Sequence, residues 1–355
     1  MQKPALSKGV DVCEITHLLR ACFRISTKFM KSVFSIFQKL KEEINNKSDG
    51  FVIAALPLVK NHKIGVSAEE LPMFFIKCDD SDSVKTLDYN LEFISIQFNR
   101  ECQLISGGKQ SAKGFYTVIS LKTDSIDLQE YFLDVVFLIV KNLPPNPTLR
   151  ELKIEVEKLI NLFSQFSKPP QKTVQGLWAE LLVIEQAKQP DYLIQAWHSE
   201  TTAKFDFNDG VDKIEVKSTS KNKRIHSFSI EQLNPNKNSN LVIASVFAVE
   251  TGTGKSIYDL LELIGTKIKD KDLFFRVNEI AVKTLGRDFE KSFDVFFDYQ
   301  LAVDSLAFYE SELIPKIDIF NIPNQLSNVR FDSELSEIEP LKKLTTKSLL
   351  HKAAM

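Results

Sequence analysis

The segment KFDFNDGVDKIEVKSTS, residues 204–220, constrains this chain more than any other stretch. Asn208-Asp209-Gly210 is a strong turn signal, since Asn and Gly accept the positive φ that tight hairpin connections demand. It separates two short extended runs, so residues 205–218 are expected to form a β-hairpin. Side chains alternate between faces along a strand. That places Val211, Lys213, Glu215 and Lys217 on one side and Ile214 and Val216 on the other, the side expected to face a core. Asp206, on the first run, can then lie across from Glu215 and Lys217. The rest of the chain reads as scaffold around this hairpin.

A chain of 355 residues has room for two domains, or one large domain with extensions. In residues 1–46 apolar side chains recur at steps of three and four, among them Val12, Ile15, Leu18, Leu19, Cys22, Phe29, Met30, Val33, Phe37 and Leu40. This is the period of an amphipathic helix or helix pair. Residues 1–41 carry eight Lys or Arg against Asp11 and Glu14, and a packing helix with a solvated face explains them more simply than a nucleic-acid or membrane arm.

Residues 47–168 are expected to form an α+β domain. The runs FVIAALPL, PMFFIK, EFISIQF and FYTVISL read as strands, followed by helices over 128–141 and 149–166. Pro169-Pro170 marks the expected boundary. Residues 171–285 then offer a helix over 174–188, a strand near 192–197, the hairpin, strands over 225–230 and 241–249, and helices over 256–267 and 272–285, an α/β arrangement. Residues 286–340 read as further strands (FDVFFDYQLAVD, LAFYE) with an irregular acidic stretch, and residues 341–355 as a tail.

Composition excludes some classes. Hydrophobic residues make up 43% and charged residues 26%, ordinary for a soluble globular protein, and the 27 Phe point to aromatic-rich cores. The net charge of −2 rules out a polycation, although residues 301–340 hold eight acids against Lys316 and Arg330. No run reaches the ~18 to 20 apolar residues of a membrane span, and Lys3 and Lys8 are not followed by the apolar core of a secretory signal. Cys13, Cys22, Cys78 and Cys102 lack metal-ligand or disulfide spacing, so they read as free buried thiols of a cytoplasmic protein.

The chemistry concentrates at the hairpin. Asp206, Glu215 and the backbone carbonyl of Val216 are hard oxygen donors suited to Mg²⁺, or to Mn²⁺ in its place. Such an ion polarises a phosphoryl oxygen and lowers the pKa of a bound water. Lys217 beside it can orient or deprotonate that water. Glu180 lies in QGLWAELLVIEQ, a helix apolar nearly all round, and its helical neighbours Gly176, Leu177, Val183 and Ile184 include no base. A buried carboxylate needs a partner, and a metal held by Asp206 and Glu215 is expected to supply it. Lys221, Lys223 and Arg224 follow with no acid among them, where a nucleic-acid backbone would run, and His226 and Gln232 can add phosphate or water contacts. A Glu-x-Lys on an exposed strand is common and carries little alone; acid, turn, Glu-x-Lys, buried helix glutamate and basic stretch together carry much more.

Thr251-Gly252-Thr253-Gly254-Lys255-Ser256 has the strand-to-helix context of a phosphate-binding loop. The first glycine of that motif would fall at Val249, which does not easily adopt the backbone required. Nucleotide binding through Lys255 is therefore the weaker reading.

The order Glu180, Asp206, Glu215, Lys217 resembles the PD-(D/E)XK nuclease superfamily. The wider stretch, GLWAELLVIEQ through FDF, IEVKSTS, RIHSFSIEQL and LVIASVFAV, is similar to a bacterial branch known simply as PD-(D/E)XK motif proteins. The similarity is specific over 175–248 and extends over 51–330 only in the order of elements. It implies a restriction-endonuclease-like core at 171–285, a mixed sheet flanked by helices and α+β or α/β in class. Residues 47–168 would then be an N-terminal strand-rich domain for recognition or docking, and 286–340 a C-terminal β extension. The resemblance further implies a Mg²⁺-dependent DNA endonuclease, a subunit of a restriction or phage-defence system with methyltransferase or ATPase partners. In it Asp206, Glu215 and Glu180 would hold metal and Lys217 act on the water. Phe205 stands where the proline of the superfamily name would be, a departure many members share. Double-strand cutting with one active site per chain would favour a homodimer or a complex with other subunits. The alternative is a non-catalytic nucleic-acid-binding or assembly subunit that keeps the fold; the intact acid set argues against it.

Overall fold

The structure is a computed structural model. It describes residues 33–43, 51–79, 87–106, 109–110, 113–198, 203–235, 239–268, 270–323, 325–342 and 347–355. The helical pattern of residues 1–32, with Cys13 and Cys22, lies outside the described residues. The chain divides into two units, Met1–Phe163 and Ser164–Met355, just ahead of Pro169-Pro170.

In the first unit α1 (residues 33–43) buries Val33, Phe37 and Leu40, one face of a helix. An eight-stranded sheet follows from β1 (Phe51–Ala55), β2 (Lys63–Val66), β3 (Pro72–Ile76), β4 (Tyr89–Asn90), β5 (Ile94–Cys102), β6 (Leu104–Ser106), β7 (Lys109–Gln110) and β8 (Gly114–Leu121), ordered β4-β5-β8-β3-β2-β1-β6-β7. Within this sheet only β1 and β6 pair in parallel among the described strands. Every residue of β3 is buried, as an inner strand covered on both faces requires. The helices α2 (Ile126–Asn142) and α3 (Leu149–Ser164) complete the unit, α2 capped by Ser125, whose Oγ accepts the Leu128 N–H. Phe132 of α2 meets Phe74 of β3 and Phe163 of α3 edge-on, at 5.8 and 6.0 Å between ring centres.

The second unit opens with α4 (Val174–Gln186), α5 (Pro190–Ala196), β9 (Phe207–Asn208), β10 (Lys213–Thr219), β11 (Ile225–Ser229), α6 (Ile230–Leu233), β12 (Leu241–Phe247) and β13 (Glu250–Thr251). It continues with α7 (Ile257–Lys267), α8 (Lys271–Leu285), β14 (Phe296–Phe297), α9 (Tyr299–Ser305), β15 (Ala307–Glu310), β16 (Arg330–Glu334) and α10 (Leu349–Ala354). Its central sheet is mixed, ordered β15-β12-β10-β9: β10 and β12 run parallel, with Glu215 beside Ile243, and the two outer strands are antiparallel to them. The helix α4 packs on β10 and on α7. On the Ile243 face, Leu241, Ile243 and Tyr309 form one apolar cluster with Phe228, Leu233 and Leu335, so the antiparallel pair β11–β16 and α6 cover that face. This is the restriction-endonuclease-like arrangement, α+β with a mixed sheet flanked by helices.

Four expectations are corrected here. Residues 192–196 are helical, within α5, because Pro190 at the first helical position and Asp191 in the first turn outweigh the β-prone Tyr-Leu-Ile run; only Trp197 is extended, bridging to Phe207. In FDVFFDYQLAVD only β14 is extended; Asp298 accepts the Leu301 N–H (3.0 Å) and starts α9. The strand LAFYE is no extension, since β15 pairs with β12 inside the central sheet. Nor do residues 349–354 trail as a tail: α10 buries Leu350, His351 and Ala353 and packs on α5 and β10.

Candidate active site

The site assembles where β9 stops. Its two residues pair with β10 only as Asn208–Lys213 and Phe207–Ile214. The chain between them is a four-residue loop in which Asp209 Oδ1 accepts the Val211 and Asp212 N–H groups and Gly210 takes φ +92°. One residue before β9, the Asp206 carboxylate continues the ladder: its Oδ2 accepts the Val216 N–H at 2.8 Å. Lys213 N–H donates to Asn240 O ahead of β12, so the two-residue backbone alternation turns the N–H and C=O of Val216 toward the β9 edge. Asp206 and the Val216 carbonyl thus share one edge of β10.

Glu180 approaches from α4. It is 4% exposed and accepts two bonds, from Trp197 Nε1–H at Oε2 (2.8 Å) and from Lys172 Nζ at Oε1 (2.6 Å). The same Lys172 Nζ donates to Asp206 Oδ1, also at 2.6 Å. The partner that the sequence reading sought in a metal ion is therefore a lysine. It was missed because it lies in the irregular segment two residues before α4, outside the three- and four-residue steps along the helix.

Glu215 and Lys217 project together from β10, Lys217 Nζ lying 2.8 Å from Glu215 Oε1. Their face is not open: Lys213 and Glu215 are 6% and 4% exposed beneath the β11–α6 layer, and Lys213 Nζ donates to Ser239 Oγ (2.7 Å). Gln232 of α6 locks the pair, donating from Nε2 to Glu215 Oε1 (2.5 Å) and accepting from Lys217 Nζ at Oε1 (3.1 Å). Phe228 lies under the Lys217 ammonium, 5.0 Å from ring centre to Nζ.

Charge is unbalanced in this pocket, where three carboxylates face the two ammonium groups of Lys172 and Lys217. Burial, then the charge of Asp206, pushes Glu180 up to about 8 and Glu215 up to about 7; the neighbouring lysines offset only part of this. Lys172 is held above the usual lysine range by Asp206 and Glu180, against the opposing effect of its own burial. A pocket that binds protons near neutrality for want of positive charge suits a cation. Its oxygens are the hard donors a divalent ion such as Mg²⁺ takes. Asp206, Glu215 and the Val216 carbonyl would hold it. Among the described residues, however, no three His, Cys, Asp or Glu side chains converge as ready ligands, and Lys172 stands between Glu180 and Asp206.

The basic stretch divides. Lys221 and Lys223 are exposed, Lys223 within 3.1 Å of Glu334. Arg224 is committed internally, donating to Ser245 O and Oγ (2.9 and 2.7 Å) with its guanidinium 4.5 Å from the Phe247 ring centre. His226 is 3% exposed and bonded through Nε2 to Ser245 Oγ (2.7 Å); burial, then Lys217 and Arg224, bring it down to about 4. Contacts to phosphate from Arg224 and His226 are thus corrected to packing, because alternation along β11 turns His226 inward. Gln232 belongs to the Glu215–Lys217 cluster rather than to its surroundings. The Thr251–Ser256 loop is also committed: Lys255 N–H donates to Phe297 O, its carbonyl accepts Trp178 Nε1–H (2.9 Å), and Ser256 caps α7.

Comparison with known proteins adds one match. A family model described as "Putative PD-(D/E)XK family member, (DUF4420)" matches residues 35–336. No curated protein and no solved structure matches the chain. No helix among the described residues is long and apolar enough to cross a membrane.

Proposed function

The chain belongs to this PD-(D/E)XK family, and from that premise we propose that it is a Mg²⁺-dependent nuclease hydrolysing phosphodiester bonds in DNA, within a restriction or phage-defence system. One observation carries the reading: Glu180, Asp206, Glu215 and Lys217, from α4, the approach to β9 and β10, gather in one pocket with more acid than base. The defence setting and its methyltransferase or ATPase partners rest on the sequence resemblance, and a homodimer rests on there being one active site per chain.

The residues divide the work. Asp206 presents oxygens at the β9 side of β10, Glu215 presents them from the face beneath α6, and Glu180 approaches from the helix. Bound there, Mg²⁺ would supply Lewis-acid polarisation of the phosphoryl oxygen and a more acidic water. Lys217, half-buried and held by Glu215 and Gln232, keeps its ammonium at the pocket, where it orients the attacking water or offsets charge on the phosphate. Exposed Lys221 and Lys223 offer phosphate contacts alongside. A second reading, a non-catalytic DNA-binding or assembly subunit, draws support from Lys172 lying between Glu180 and Asp206.

Plasmid nicking with and without Mg²⁺ or Mn²⁺ separates the two. Asp206→Asn and Lys217→Ala are expected to lose at least about 100-fold in rate, as loss of a charge-stabilising group does, while Lys255→Ala cleaves as wild type. Unchanged cleavage in the first two variants sinks the nuclease reading; DNA binding with no cleavage by the wild type favours the assembly subunit.

A further inference from the structure

Lys172 has no place in the Glu180, Asp206, Glu215, Lys217 order, yet its Nζ is 2.6 Å from Glu180 Oε1 and 2.6 Å from Asp206 Oδ1. An ammonium equidistant from oxygens of two carboxylates stands where a bridging cation would. The segment leading to it is anchored to the end of α8: Gln171 N–H donates to Thr284 O (2.7 Å), and Arg287 N–H to Lys168 O (2.9 Å). Gly286, at φ +49°, permits that approach, since a Cβ there would come within 2.0 Å of Lys168 O. The Lys172 side chain itself is 35% exposed, so its stem reaches the carboxylates from the solvent side.

We propose that Lys172 is a tethered cation that fills one of two cation positions in this centre, between Glu180 and Asp206, and so limits the centre to a single divalent ion held by Asp206 and Glu215. The proposal rests on the metal-centre reading above. Nuclease centres that use two metals hold them about 3.5–4 Å apart, and a second ion bridging Glu180 and Asp206 would bind the oxygens at about 2.0–2.1 Å. Lys172 already donates to those oxygens, so ion and ammonium exclude each other. Lysine suits this role because it is a compact point charge on a flexible stem, able to swing toward solvent.

Mn²⁺ binding to the full chain, counted by electron paramagnetic resonance of the free ion and by calorimetry, tests it without requiring cleavage. Wild type and K172R are expected to bind one ion; K172M and K172Q are expected to bind two. The Mn²⁺-induced rise in Tm is expected to be larger in K172M and K172Q than in wild type. Two substitutions of different polarity guard against a variant that fails to fold. The same number of ions in K172M and K172Q as in a one-ion wild type overturns the tethered cation and leaves the nuclease reading standing. Ions bound by these variants but none by wild type overturn the single-ion centre proposed here, and with it the wild-type metal site on which the nuclease reading depends. No binding by any protein overturns both.

Discussion

At the scale of single residues, the surroundings of Glu180 decide what the pocket can hold. Trp197 supplies it a neutral donor and Lys172 a charged one. Trp197→Phe removes the N–H and leaves the buried carboxylate short of a bond, an expected loss of about 1–3 kcal/mol. A urea midpoint equal to that of wild type would contradict it. For DNA binding the expectation follows exposure. Lys221→Ala with Lys223→Ala weakens affinity several-fold and flattens its salt dependence, whereas His226→Ala leaves affinity unchanged and lowers stability, because His226 is 3% exposed and bonded to Ser245. A filter-binding salt series on both variants checks the contrast. Asp206, Glu215, Lys217 and Glu180 were legible in the sequence because strand alternation and helix periodicity are local rules. Lys172 and the internal roles of Arg224, His226 and Gln232 were not, because each depends on which distant segment packs against it.

At the scale of elements, long helices read correctly and the shortest helices did not. The helices α2, α4 and α8 span 17, 13 and 15 residues, enough turns for a pattern to declare itself. The seven residues of α5 and of α9 hold about two turns each, too few, and their Pro190 and Asp298 start signals were the better guide. The six residues of α10 read as tail since nothing local announces that their apolar side chains are buried. His351 Nε2 lies 3.1 Å from Lys213 O at the start of β10, and Gln189 N–H donates to Ala353 O (3.0 Å). Truncation after Lys347 is therefore expected to destabilise the second unit by several kcal/mol, the scale on which losing several buried apolar side chains acts. A melting temperature equal to that of the full chain would show α10 to be dispensable.

At the scale of the whole molecule, the buried acid excess makes stability depend on pH. Glu180 and Glu215 bind protons more tightly in the folded chain, at about 8 and about 7, than their ordinary value of 4.5. Between roughly pH 4.5 and 8 the folded state thus holds more protons than the unfolded one, so stability falls as pH rises through that window. Urea midpoints are expected to decline from pH 5.5 to 8.5 without divalent ions, and to decline less with Mg²⁺ present. A midpoint that climbs with pH would refute the charge balance described here.

The sequence by itself determined the α+β class and the hairpin around Asn208-Asp209-Gly210, because these follow from local periodicity and turn chemistry, and its acid–lysine order already resembled the family whose model it matches. Only the tertiary structure decided that Lys172 joins Glu180 to Asp206, that Gln232 locks Glu215 to Lys217, and that β15 and α10 belong to the core. The physical reason is common to all of them. A buried charge takes whatever partner packing brings within bonding distance, and that partner can come from any point along the chain.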